Sequence, residues 1–228
     1  MKKIILLPLI SVALIGCGSD NNSSTPSNTQ SFDGIYANNE AVMLVDTALT
    51  HGTIASNGTH ILSFDSFTKN DQSVTFKGSN LWTDYAYSYD SNQTMTALFN
   101  DNRVQTSANI NGVMFTYDLS KQPASLPLAQ LVGSHTDGTQ VTEISADGTF
   151  ISYGNALGCT YDGTLKMTKS LYYSSNVEAS LCNDALNNGS YNGYFFTVNK
   201  LEQPKLLAVF HNVSSNHIIW GETSITQL

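Results

Sequence analysis

The sequence predicts an all-β protein made of two tandem small antiparallel β barrels or sandwiches, with one lipocalin-like barrel as the alternative. Apolar and polar residues alternate with a period of two over short runs, which is typical of strands that bury one face. Asn-Gly and Asp-Gly pairs recur between these runs and supply the positive φ angles that tight hairpins need. A segment with two prolines, Lys121–Pro127, separates two strand-rich halves.

The first residues have the organisation of an export signal. Lys2 and Lys3 form a positive start, and the apolar run Ile4–Ile15 is shorter than the roughly 20 residues that a spanning helix needs. The run ends in Leu14-Ile15-Gly16-Cys17, which resembles the lipobox of bacterial lipoproteins. This resemblance implies a signal peptide at residues 1–16, cleavage before Cys17, and acylation of Cys17 with lipid chains such as palmitate.

The lipobox resemblance also implies a cellular location. Gly18 follows the cysteine where an inner-membrane retention signal usually has aspartate, so the resemblance to proteobacterial lipoproteins implies the outer membrane. Whether the folded body faces the periplasm or the cell surface stays open. The alternative is an ordinary secretory signal in which Cys17 is incidental.

Residues 17–31 are predicted to form a disordered linker. After Cys17 they are almost only Ser, Asn, Thr, Asp, Gln, Gly and Pro, so burial of apolar surface cannot offset the entropy lost on folding. Such a linker would hold a folded body away from a membrane. We place a β domain at residues 32–120, a second linker at 121–130 and a second β domain at 131–228.

The two halves open in a similar way. Phe32-Asp33-Gly34-Ile35-Tyr36 begins the first, and Leu131-Val132-Gly133-Ser134-His135 begins the second. The matched glycines indicate a divergent internal duplication.

Strand candidates occur throughout both halves. The clearest is Cys159–Thr168, in which Cys159 and Tyr161 lie on the apolar face, and Gly112–Leu119 alternates in the same way. The other candidates are Ala41–Val45, His60–Phe64, Val74–Phe76, Met95–Phe99, Val141–Ile144, Phe150–Tyr153, Val177–Leu181, Tyr191–Val198, Leu206–His211 and His217–Trp220. Helix is expected only as a turn or two within Leu126–Val132 and Ser180–Asn188.

Two cysteines remain once Cys17 is assigned to the lipid. Cys159 and Cys182 form an even pair, which in an oxidising compartment is most simply a disulfide. On the chain-entropy model the bridge would contribute roughly 3 kcal/mol. It would make the two cysteine-bearing strands neighbours, with a hairpin connection between Lys169 and Asn176. A metal site is the alternative, but no histidine lies near either cysteine in the sequence.

The second half also resembles a pattern found in small, mostly uncharacterised all-β lipoproteins of Gram-negative bacteria. The resemblance covers about a third of the chain and implies architecture only. It rests on Ile144, Asp147-Gly148-Thr149, Gly158-Cys159-Thr160-Tyr161-Asp162-Gly163-Thr164, Cys182 and Gly189-Ser190-Tyr191-Asn192-Gly193.

Charge and motifs exclude several functional classes. The chain has 10 Lys and Arg against 18 Asp and Glu, for a formal net charge of −8, and phosphate binding needs clustered cations, so no nucleic-acid partner is expected. Sequence motifs of P-loop, dinucleotide-binding, serine-hydrolase and zinc-protease sites do not occur. No catalytic residue, metal or cofactor is therefore assigned.

Two weaker patterns have an ordinary explanation. Ser66-Phe67-Thr68-Lys69 has the S-x-x-K spacing of serine β-lactamases, but those enzymes place the serine at a helix start, and no K-T-G follows. His211 and His217 could face each other across a hairpin, yet paired surface imidazoles next to a turn are commoner than a metal site.

The most suggestive feature is an aromatic stripe. Tyr85, Tyr87 and Tyr89 share one face of a strand, with Trp82 nearby. These side chains either contribute to the core, which we favour, or contact a small ligand, glycan or protein.

The expected function is that of a membrane-anchored envelope lipoprotein that acts as a non-catalytic binding or interaction module. The partner would be an envelope protein or a small apolar or glycan ligand. The alternatives are a hydrolase whose site is assembled from distant residues, and a surface adhesin or inhibitor.

Overall fold

The computed structural model describes residues 31–47, 53–83, 87–110, 112–155, 157–212, 214 and 217–225. The predicted signal peptide, Cys17 and the polar linker up to residue 30 lie outside the described residues, as does Tyr85. Within the described ranges, no helix is long and apolar enough to cross a membrane.

The first half closes into an eight-stranded antiparallel barrel. Each strand pairs with the next, and β8 returns to β1 through Tyr36 opposite Lys121 and Ala37 opposite Ser120. The strands are β1 (Gly34–Ala37), β2 (Val42–Val45), β3 (Thr53–Ser56), β4 (His60–Asn70), β5 (Ser73–Thr83), β6 (Tyr87–Asn100), β7 (Arg103–Ile110) and β8 (Val113–Lys121).

The second half forms a barrel with the same up-and-down order. It follows a connector that holds one helical turn, α1 (Leu128–Leu131). Its strands are β9 (Gly133–Thr136), β10 (Val141–Ile144), β11 (Thr149–Tyr153), β12 (Thr160–Thr164), β13 (Lys166–Thr168), β14 (Leu171–Ser180), β15 (Gly189–Lys200), β16 (Gln203–Asn212) and β17 (Ile218–Ser224). Strand β12 pairs with β14, β13 adds to β14, and β17 meets β9 at Ser224 opposite Thr136. The prediction of two tandem β barrels is confirmed.

Every second side chain of a strand points into its barrel, and these side chains fill the interior. In β7, for example, Val104, Thr106, Ala108 and Ile110 point inward while the residues between them are exposed. Aromatic and aliphatic side chains fill the first interior, including Tyr36, Phe76 and Phe99. The second interior is built around Phe150, Tyr161, Tyr191, Phe195 and Phe210.

A third apolar core lies between the barrels. Strands β1 and β2 are buried at every position, because one face lines the first barrel and the other packs against the second barrel. The outer faces of β15 and β16 supply most of the opposing surface. The buried members are Ile35, Ala37, Val42, Leu44 and Ile54 of the first barrel, and Leu171, Tyr194, Phe196, Val198, Leu207, Val209 and Ile218 of the second.

An ion-pair cluster joins the barrels at the edge of this core. The Lys169 ammonium, between β13 and β14, contacts the carboxylates of Asp33 and Asp46, which flank β1 and β2. Burial alone would raise the pKa of Asp33, but hydrogen bonds from Lys169 and Thr47 outweigh it and hold that pKa below its ordinary value. The hydrogen bond to Asp33 in turn raises the pKa of Lys169.

A short motif, which we call the glycine–ring corner, occurs three times at the start of a strand among the residues that the structure describes. A glycine with positive φ is followed two residues later by a ring that hydrogen-bonds the carbonyl oxygen four residues before it. The three corners are Gly34 (φ 155°) with Tyr36 Oη to Phe32 O at 3.0 Å, Gly133 (φ 129°) with His135 Nε2 to Leu131 O at 2.8 Å, and Gly189 (φ 130°) with Tyr191 Oη to Asn187 O at 2.9 Å. Glycine is needed because other residues rarely adopt such φ angles.

The predicted disulfide is present. Cys159 and Cys182 are bonded with their Cα atoms 3.9 Å apart, and the strands next to them, β12 and β14, are neighbours. The expected connection between Lys169 and Asn176 is wrong, because β14 begins at Leu171 and only residues 169–170 form the turn after β13. The single strand expected over Cys159–Thr168 is interrupted at Leu165, so that β12 and β13 are separate.

Candidate binding surface at the junction of the two barrels

The tyrosines that we expected in the core lie on the outer surface of the first barrel. Side-chain exposure is 46% for Tyr87 and 51% for Tyr89. Both share a face with Trp82 and Asn80, which are their register partners on β5, whereas Leu81 points into the barrel. Core packing is therefore the wrong interpretation for Tyr87 and Tyr89.

A β-bulge shapes the strand beneath these rings. The register of β5 against β6 shifts between Lys77 and Ser79, around Gly78 with a φ of 74°. A Cβ atom at Gly78 would lie 2.5 Å from Oδ2 of Asp65 on β4. The glycine therefore serves two purposes, since it allows the left-handed backbone and leaves room for the Asp65 carboxylate.

The Asp65 carboxylate organises a chain of hydrogen bonds. Asn80, only 1% exposed, donates from Nδ2 to Asp65 Oδ1 at 3.1 Å. This fixes the orientation of the Asn80 amide, whose Oδ1 then accepts from Tyr87 Oη at 2.9 Å. Tyr89 Oη donates to Asp65 Oδ2 at 2.7 Å.

The electrostatics of the two phenols reflect this network. The hydrogen bond to Asp65 raises the pKa of Tyr89, and burial together with the Asp65 charge raises the pKa of Tyr87. Both phenols therefore keep their protons at neutral pH, and each proton is directed toward the protein.

The second barrel completes the surface with one histidine. Trp82 stacks on Tyr87 with ring centroids 4.0 Å apart, and His217, just before β17, packs against Trp82 at 4.6 Å. Burial lowers the pKa of His217, so its imidazole is neutral at pH 7. The Nε1 atom of Trp82 is buried without a hydrogen-bond partner. We call this set the junction platform: Asp65, Asn80, Trp82, Tyr87, Tyr89 and His217.

The other candidate site residues from the sequence analysis do not come together in a shared site. Ser66 and Lys69 lie on β4, in a strand and not at a helix start, and Lys69 Nζ donates to Thr47 Oγ1. His211 is opposite Ile218, whereas His217 packs against Trp82. Among the residues that the structure describes, no three His, Cys, Asp or Glu side chains are grouped closely enough to hold a metal ion.

The mouth of the first barrel contains a small cavity. Its volume of about 20 Å³ is close to that of one water molecule, far below the several hundred Å³ of a typical ligand pocket. The lining includes Ser56, Asn57, His60, Thr106 and Tyr117. This cavity suits a bound water better than a ligand.

Comparison with protein-family models, curated proteins and solved structures finds no match for the chain. Sequence reasoning identified the aromatic members of the junction platform but missed Asp65, Asn80 and His217. Gly78 within a strand was the available signal, because glycine there commonly marks a bulge or a close approach of side chains.

Proposed function

We propose that this protein is a membrane-anchored envelope lipoprotein that acts as a non-catalytic binding module, with the junction platform as its ligand site. The observation that carries the proposal is the pair of exposed phenol rings, Tyr87 and Tyr89, held by a buried amide and a carboxylate. Ligand sites commonly combine aromatic surface with a few fixed polar groups and often lie at domain boundaries.

The network favours a binding role because it holds the rings in place before a ligand arrives. Both Tyr87 and Tyr89 have their hydroxyl groups bonded to Asn80 or Asp65, and Trp82 supports Tyr87 from one side. Side chains that are already ordered lose little entropy on binding.

The anchoring half of the proposal rests on Leu14-Ile15-Gly16-Cys17 and the polar linker that follows it. Two or three acyl chains on Cys17 would hold the protein firmly to the outer membrane. The Cys17→Ser change should abolish palmitate labelling and release the protein into the soluble fraction of fractionated cells. A Cys17→Ser protein that still labels and sediments with membranes would contradict the anchor.

The binding half is tested by hydrogen exchange on the soluble chain that begins at Gly18. A detergent-free envelope extract should slow amide exchange in β4, β5 and β6 around the junction platform. The effect should be lost in the Tyr87→Ala variant. As a matched control, Tyr153→Ala removes an exposed tyrosine of the second barrel that also donates to a carboxylate, Glu143, at 2.9 Å. Unchanged exchange in the wild-type chain would refute the platform as a binding site.

A further inference from the structure

We infer that the ligand of the junction platform is a neutral carbohydrate, with one pyranose ring packed on Tyr87 and Tyr89 and its hydroxyl groups donating to the phenol oxygens and Asp65. The inference rests on the proposed function and specifies its ligand class. It follows from three properties of the platform: ring geometry, hydrogen-bond polarity and charge.

The spacing of the rings matches one sugar. Tyr87 and Tyr89 are two residues apart on β6, so their side chains leave the same face about 6.6 Å apart. That distance is comparable with the width of one pyranose ring. Aromatic faces carry negative potential, and the C–H bonds of a sugar, polarised by neighbouring oxygens, pack well against such faces.

The hydrogen-bond directions require a ligand that donates. An ionised carboxylate only accepts, so Tyr89 must donate to Asp65, and Asn80 must use its NH₂ group on the same carboxylate. The Asn80 carbonyl then receives the proton of Tyr87. Both phenol oxygens therefore face a ligand as acceptors, which suits the many O–H donors of a sugar.

Charge favours a neutral sugar over an acidic one. Asp65 belongs to the platform, and Asp90 acts electrostatically on Tyr89 as well. None of the platform side chains is Lys or Arg, and the burial that lowers the pKa of His217 keeps that ring uncharged. An anionic sugar or a phosphate would meet repulsion from Asp65 with no cation among the described side chains of the platform to offset it.

The experiment combines an array of immobilised neutral and acidic oligosaccharides with the soluble wild-type chain and four variants. Wild type and Tyr153→Ala should bind neutral glycans. Tyr87→Ala should lose about tenfold or more in affinity, as expected for the loss of a central aromatic anchor. Tyr89→Phe keeps the ring but removes the acceptor oxygen and should bind more weakly than wild type. Asp65→Asn should weaken binding with little change in shape, and thermal melts of each variant confirm the fold.

Two treatments of the envelope extract separate the possible failures. Periodate cleaves the vicinal diols of sugars, whereas protease digests protein. The inference is supported if periodate treatment of the extract abolishes the protection from hydrogen exchange and protease treatment does not. Protection that resists periodate and disappears with protease overturns the carbohydrate while the binding module stands. Array binding that is confined to acidic glycans, or that is equal in wild type and Tyr87→Ala, also overturns the inference. No protection at all refutes the binding module itself.

Discussion

The two barrels share one plan but differ in how their walls close and in what fills them. Each closes as an up-and-down barrel of eight strands, with β13 added to β14 in the second, and each begins with a glycine–ring corner. In the first barrel, β8 closes on β1 through two residue pairs. In the second, β9 meets β17 through the one pair Ser224–Thr136.

The interiors differ in polarity as well. Small hydroxyl side chains, Ser79 and Thr106, are buried in the first barrel among apolar residues. Adjacent strands of the second barrel bury His135, Gln140, Thr142, Ser152 and Thr223, and its Thr142, Ser152 and Gln140 side chains bond one another. Buried polar groups contribute less to stability than apolar ones of the same size. The difference teaches that the same topology can be built around a mainly apolar interior in one case, and around a more polar interior with an added disulfide in the other.

The largest expected effect comes from removing that bond. The Cys159→Ala/Cys182→Ala double variant should lower the free energy of unfolding by about 3 kcal/mol, because the bridge closes a loop with a sequence separation of 23. Urea unfolding of the soluble chain measures this loss.

Hydrogen exchange shows which barrel is affected. Faster exchange should be confined to the second barrel, and β6 and β7 of the first barrel serve as the internal control. Equal acceleration in both barrels would mean that they unfold as one unit and that the contrast between their walls is unimportant for stability.

A smaller effect should distinguish the glycine–ring corners. Tyr36→Phe and Tyr191→Phe each remove one hydrogen bond to a carbonyl and should cost about 1 kcal/mol. His135→Phe removes the same kind of bond but also eliminates the Nδ1 atom, which is buried without a hydrogen-bond partner. Its cost should therefore be smaller than that of Tyr36→Phe.

Thermal and urea unfolding of the three single variants provide the comparison. The corresponding change at an exposed tyrosine, Tyr153→Phe, is the control and should have little effect. A larger loss for His135→Phe than for Tyr36→Phe would show that the imidazole has a role in the second barrel beyond the corner.

Alternation was sufficient to predict most strands because each barrel strand has one inner and one outer face. Val141–Ile144 coincides with β10, for example, and Phe150–Tyr153 falls within β11. No strand was predicted at β1, β3, β7 or β9. Strand β14 was predicted only at Val177–Leu181, because Ser174, Ser175 and Asn176 interrupt the apolar pattern where the register shifts. A bulge breaks the period without ending the strand.

The core between the barrels could not be predicted from the period alone. Continuous apolar runs such as Ala41–Val45 indicate a strand covered on both faces, but they do not identify what provides the second cover. The junction platform has the same difficulty, since Asp65 and Asn80 meet only through the pairing of β4 with β5, and His217 reaches Trp82 only when the second barrel is in place. Hydrogen-bond direction and stacking at this surface are properties of the assembled fold.

The core between the barrels remains incomplete while the chain is being synthesised. Synthesis proceeds from the N-terminus, so the strands up to Lys121 emerge well before β15 and β16. During that interval the outer face of Ile35, Leu44 and Ile54 has nothing to cover it. An exposed apolar surface of this kind is an aggregation hazard. The newly made first barrel is therefore the stage at which a chaperone would have the most to protect.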